Sequence, residues 1–218
     1  MKVHHIPFQE TGYFSNLMND YLDRSPKLSQ FYENFPDMEG FKNQLVSKQS
    51  SFEKTSRNTL VKALIKQYNS FNTSDLTNNN INSLAAETTF TITTGHQLCA
   101  FGGPQYFIHK IISVIKIAEN LKVKYKEFDF IPMFWMATED HDFQEISSLN
   151  IFNQNFSVNQ KDSIGVGKLN PEIFSPIFEE LKEIFKNDSR FNYLESIFTT
   201  ALNQNNWSNA TRCWVNEI

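Results

Sequence analysis

The sequence predicts an α/β fold organised around a parallel sheet, and three neighbouring segments carry that expectation. Residues 88–95 (TTFTITTG) are β-branched and aromatic, follow a polar linker and end at a glycine, the pattern of a strand that stops abruptly. Residues 105–121 place Ile108, Ile111, Ile112, Ile115 and Ala118 at helical spacing, which predicts an amphipathic helix about 25 Å long. Residues 128–137 (FDFIPMFWMA) are almost continuously apolar, as a parallel strand covered on both faces would be. Strand, helix and strand in that order make a βαβ unit whose two strands pair in parallel.

Around this core the pattern is helical. In 14–70 the stretches FSNLMNDYL, FKNQLVSKQSSF and TLVKALIKQY repeat apolar residues at three- and four-residue spacing, and Pro36-Asp37 signals a helix start. The Asn-rich run Thr77–Asn82 predicts a loop. Residues 149–168 alternate weakly, as a hairpin or an excursion would. Segments 171–185 and 191–202 read as two helices, and CWVNEI as the end of a third. The expected organisation is a helical N-terminal layer over 1–88 packing on the sheet, a βαβ core over 89–148, and a connective, helical region over 149–218. Two parallel strands are few for a complete sheet of this class, so further core strands are expected outside this sequence.

Bulk properties narrow the function. With 20 Lys+Arg against 24 Asp+Glu, the charge of -4 offers no basic footprint for nucleic-acid phosphates. The two cysteines, Cys99 and Cys213, form neither a CxxC nor a metal-ligand spacing, so a reducing cytoplasm is expected and no metal. The start lacks a signal-peptide pattern, and no run of about 18 apolar residues would span a membrane.

Chemistry is expected where both strands end, because ligands of open α/β sheets sit outside the carboxyl ends of the strands. The first strand leads through Thr94-Gly95-His96-Gln97 and Gly102-Gly103-Pro104 into the helix, where Lys110 lies within the first two turns. Glycines let backbone approach a ligand, and a lysine ammonium can meet a phosphate or carboxylate. Read alone, the loop equally suits a turn shaped by its glycines with a solvated Lys110; it is neither GxGxxG nor a P-loop. Cys99 has no flanking basic residues to activate a thiolate and reads as packing. The second strand runs into Glu139-Asp140-His141-Asp142-Phe143-Gln144-Glu145, four carboxylates and one imidazole within seven positions. Such a cluster suits a cationic amine, a divalent metal, or acid–base work by His141. Asp140 or Asp142 equally reads as the N-cap of a following helix.

Taken together, TTGHQLCAFGGPQYFIHK (93–110) and PMFWMATEDHDFQEI (132–146) resemble the bacillithiol biosynthesis cysteine-adding enzyme family, and YFSNLMNDYL, FYENFPDMEGF and NTLVKALIKQY follow the family's order upstream. The resemblance implies a Rossmann-like core related to HIGH-type nucleotidyltransferases, inserted connective regions, and a C-terminal coiled coil that makes a homodimer. It implies a ligase that joins cysteine to the amine of glucosaminyl malate, the last step to bacillithiol, with an activating nucleotide, ATP or another, at the glycine loop. Thr94, Gly95, His96 and Gln97 match the first motif, Gly103, Pro104 and Lys110 the turn and helix, and Glu139, Asp140, His141 and Asp142 the second. His96, Lys110, Asp140 and His141 are then the candidate catalytic residues, and Thr94, Gly95, Gln97, Gly102, Gly103, Glu139 and Asp142 the candidates for holding substrate or nucleotide. Cys99 departs from the family's usual residue. Family members continue well beyond residue 218, so part of the site and the coiled coil are expected outside this sequence. Two alternatives stand beside the ligase: a non-catalytic portion that keeps ligand-binding loops, and a metal-dependent hydrolase using 139–145.

Overall fold

A computed structural model describes residues 2–159 and 164–218. The chain divides into two compact units, Met1–Phe90 and Thr91–Ile218.

The first unit is helical: α1 (Phe8–Thr11), α2 (Asn16–Leu22), a 3-10 turn at Pro26–Phe31, α3 (Met38–Ser51), α4 (Lys54–Tyr68) and α5 (Asp75–Ser83). The Pro36-Asp37 signal marks the true start of α3, with the Asp37 carboxylate accepting from the N–H groups of Glu39 and Gly40. The expected loop at 77–82 is instead the body of α5. Ser74 caps it by accepting from Thr77 N–H, and Ile81 and Leu84 are buried, so a cap and two apolar anchors outweigh the weak helix propensity of four asparagines. Arg57 is 4% exposed and donates to the carbonyls of Leu84, Glu87 and Thr89, with Phe52 and Phe90 beside its guanidinium. A buried cation thereby fixes the segment that leads into the first strand.

The second unit holds the sheet. Strand β1 (Thr89–His96) and strand β2 (Asp129–Met136) are neighbours in a two-stranded parallel sheet, connected by α6 (Tyr106–Lys124). Their carboxyl ends meet: Ala137 N–H donates to His96 O at 3.3 Å, and a side chain on Gly95 would lie 3.0 Å from Trp135 O. The βαβ expectation holds, but the helix turns a different face inward. Phe107, Val114, Ala118 and Leu121 are buried, Ile108 and Ile111 are partly buried, and Ile112 and Ile115 are exposed. Beside the isoleucines the helix carries a second apolar stripe, Phe107, Val114, Ala118 and Leu121, and the edge contact of Phe107 on Phe134 sets that side against β2. Nor is β2 covered on both faces: Phe130 is buried, while Trp135 is exposed.

After β2 come α7 (Phe143–Ile146) and an antiparallel hairpin of β3 (Ser148–Ile151) and β4 (Gln154–Ser157). Phe152 and Asn153, at φ 49° and 63°, form the two-residue turn whose left-handed backbone matches the twist of the strands. Then α8 (Ser175–Phe185), α9 (Phe191–Leu202) and α10 (Trp207–Glu217) gather around Phe107, Phe174, Trp207 and Trp214, the largest fully buried side chains. Among the described residues no helix is long and apolar enough to cross a membrane.

Candidate functional site

The β1 end folds as a tight reversal. Phe101, Gly102 and Gly103 all have positive φ, at 47°, 92° and 53°. At Gly103 a Cβ would lie 2.5 Å from the Cβ of Cys99, so glycine is required by backbone and by space. Phe101 is held in the same region, at about 1–2 kcal/mol of steric strain, because its ring packs against Phe178, Phe198 and Trp207. The geometry of Gly102 and Gly103 is thus fully accounted for by a turn. They also border an apolar cavity of about 530 Å³, walled by Phe101, Phe185, Phe191, Phe198 and Trp214 among others; His96, Lys110 and His141 do not line it.

His96 is 7% exposed, its ring between Tyr106 and Phe107. Its Nδ1 lies 3.0 Å from Gln97 O. A carbonyl only accepts, so Nδ1 is the donor in this contact. The Cys99 Sγ is 3.6 Å from the same Nδ1. Burial, with the charge of Glu145 second, pushes the Cys99 thiol up to about 11, which keeps it protonated and fits a packing role. Lys110 is exposed and donates from Nζ to Gly95 O at 2.9 Å, so its charge stands at the carboxyl end of β1. Thr94 is half-buried beside it in the strand.

The β2 end is a turn at Thr138 and Glu139, neither extended nor helical. Asp140 is its organiser: Oδ1 accepts from Asp142 N–H at 2.9 Å and Oδ2 from Gln97 Nε2 at 3.1 Å. Those two donors hold its carboxyl below the ordinary range, the Asp142 N–H contributing most. Asp142 caps α7 through Glu145 N–H at 3.2 Å, and Glu139 and His141 are exposed. Among the described residues, no three His, Cys, Asp or Glu side chains are grouped to hold a metal ion.

The structure therefore joins the two motifs through Gln97 and Asp140, and it brings Lys110 to Gly95. It turns the His96 ring inward and leaves His141 exposed. Sequence reading missed the segment that braces the second loop. Val166 N–H donates to Asp140 O at 2.7 Å and Gly167 N–H to Thr138 O at 2.9 Å. The one available signal was the pair of glycines at 165 and 167, which let backbone lie against backbone; a Cβ on Gly167 would overlap Ser208 Oγ and sit 2.7 Å from Thr138 Cβ.

A family model described as bacillithiol biosynthesis BshC, N-terminal Rossmann-like domain, matches residues 1–218. A protein of Flavobacterium johnsoniae is 42% identical over 214 residues, covering 98% of this chain and 40% of its own length. One of Flavobacterium psychrophilum is 42% identical over 215 residues, covering 98% of this chain and 40% of its own length. A third, of Christiangramia forsetii, is 40% identical over 223 residues, covering all of this chain and 41% of its own length. All three carry the name "Putative cysteine ligase BshC". The chain thus spans about two fifths of the length of these curated relatives. A parallel strand pair with both motif loops at its carboxyl end, matched along the whole sequence by one family, leads to one assignment: the chain belongs to the BshC family of bacillithiol biosynthesis, as its N-terminal Rossmann-like domain.

Proposed function

We propose that this domain supplies part of the active site of a cysteine ligase that forms an amide bond between the carboxyl of cysteine and the amine of glucosaminyl malate. The observation that carries the reading is the Gln97–Asp140 hydrogen bond, which joins the acidic loop to the end of β1, where Lys110 of α6 holds its ammonium on Gly95 O. Joining a carboxylate to an ammonium ion is uphill in water. The acyl carbon must carry a leaving group, and the amine must lose a proton before it attacks. A bound nucleotide, ATP or another, would supply that leaving group. The Lys110 ammonium at the carboxyl end of β1 suits its phosphates or the cysteine carboxylate. The exposed Glu139 and His141 suit the amine, Glu139 by holding its charge and His141 by taking its proton. His96, its ring enclosed by Tyr106 and Phe107, takes no part in the chemistry in this reading.

The part of the relatives that this chain does not span, about three fifths of their length, completes the site in this reading. The test is cysteine-dependent consumption of glucosaminyl malate, in the presence and absence of nucleotide. It is run on this chain and on a form extended with the C-terminal part of a Flavobacterium relative. Turnover is expected for the extended form alone, and its loss on Lys110→Ala or His141→Ala. Equal turnover in those variants would remove both residues from the chemistry.

A further inference from the structure

The two loops are tied to each other by Gln97 and Asp140, but each also leans on something behind it, and that support is shared. The indole N–H of Trp207 donates to Leu98 O at 2.6 Å, across 109 residues of sequence. Leu98 follows Gln97 directly and is fully buried. The backbone N–H of the same Trp207 donates to Leu169 O at 2.8 Å, and Ser208 Oγ donates to Gly167 O at 3.0 Å. Gly167 and Val166 in turn donate to Thr138 O and Asp140 O. Two consecutive residues in the first turn of α10 therefore hold the β1 loop directly and the β2 loop through the 165–169 segment.

We infer that the first turn of α10, through Trp207 and Ser208, positions the β1 and β2 loops relative to each other, and so sets the Gln97–Asp140 distance on which the site depends. This rests on the reading that those loops form the site. The physical case is that every tie is stiff. Trp207 is fully buried, stacked on Phe174 with ring centroids 4.0 Å apart, so its indole cannot swing to follow a drifting Leu98 carbonyl. Val166 is also fully buried, and the close fit of Gly167 to Thr138 leaves the brace no room to slide. Neither Trp207 nor Ser208 belongs to either motif, and neither supplies an atom to the exposed side of the loops. They are positioning residues.

The test reads geometry without needing turnover. The Asp140 carboxyl, held down by Asp142 N–H and Gln97 Nε2 with His141 alongside, is followed by NMR through an acid titration in this chain. Trp207→Phe keeps an aromatic ring beside Phe174 and removes the N–H together with part of the indole's volume; Ser208→Ala removes one tie and disturbs little else. Each should move the Asp140 titration upward, further for Trp207→Phe than for Ser208→Ala, and shift the Gln97 side-chain amide signals with it. Gln97→Ala gives the full effect of losing the bond, and Leu194→Ala in α9 perturbs the same core without touching a tie and should leave Asp140 unmoved. If Asp140 titrates as in the parent chain in Ser208→Ala and in any folded Trp207→Phe, the inference is overturned; Ser208→Ala decides if the tryptophan variant does not fold. A loss of ligase activity on Ser208→Ala in the extended form, without the Asp140 shift in this chain, would likewise contradict it. Conversely, the shift would stand even if glucosaminyl malate proved not to be the substrate.

Discussion

Gln97 and Asp140 meet across 43 positions of sequence at 3.1 Å, and the bond is asymmetric in what it asks of each partner. Gln97 can donate at any pH, whereas Asp140 accepts fully only as a carboxylate. Its folded pKa is lowered, so its contribution to stability is present above the ordinary carboxylate value and is lost as pH falls through the lowered one. Asp140→Asn should therefore be less stable than the parent at pH 7 and converge with it in acid, as measured by urea unfolding at a series of pH values. A difference independent of pH would show that Asp140 is not ionised in this role. Cys99 makes the opposite statement. With its thiol at about 11 and its side chain buried, it should resist alkylation at pH 8 in the folded chain and react only on unfolding, followed by mass spectrometry with Cys213 as the internal comparison. At this scale the candidate residues were legible because Gly95, His96, Gln97 and the 139–142 cluster are chemically unusual at strand ends. The inward turn of His96 was not, since nothing local says that Tyr106 and Phe107 will enclose its ring.

Among the elements, β1, α6 and β2 were readable from period and punctuation. In α6 the isoleucine stripe lies beside a second apolar stripe, Phe107, Val114, Ala118 and Leu121, so periodicity could not choose the buried side, and contact with Phe134 did. In α5 asparagine propensity pointed to a loop, and Ser74 with Ile81 and Leu84 made a helix. Two substitutions test the supports around β1. Gly103→Ala meets both a φ of 53° and the Cβ of Cys99, and should cost about 2–4 kcal/mol in denaturant unfolding. Arg57→Met keeps the buried aliphatic volume and strands the Leu84, Glu87 and Thr89 carbonyls, at an expected cost of about 2–4 kcal/mol. A loss below about 0.5 kcal/mol in either would show that the segment finds another arrangement.

For the whole molecule, family membership was legible because two motifs occur in the right order at the two strand ends, which no single loop could have shown. The braces at 165–169 and 207–208 were illegible for the reverse reason: they act through backbone groups and one indole N–H, whose partners lie far off in sequence. Trp135, Ile112 and Val123 are exposed at 61%, 47% and 74%, large apolar side chains on which, we propose, the C-terminal part of the relatives docks. Adding the C-terminal part of a relative in trans should then raise the melting temperature, and an unchanged value would mean that it does not dock on this domain. The central claim is that the two loops act as one site. It is tested most directly by a residue-resolved NMR titration of this chain, first with glucosaminyl malate and then with cysteine and ATP. Signals of Thr94–Gln97, the Lys110 side chain and Glu139–Asp142 are expected to move together, with one affinity for each ligand. Perturbation confined to one loop, or to the cavity lined by Phe185, Phe191 and Trp214, would contradict it.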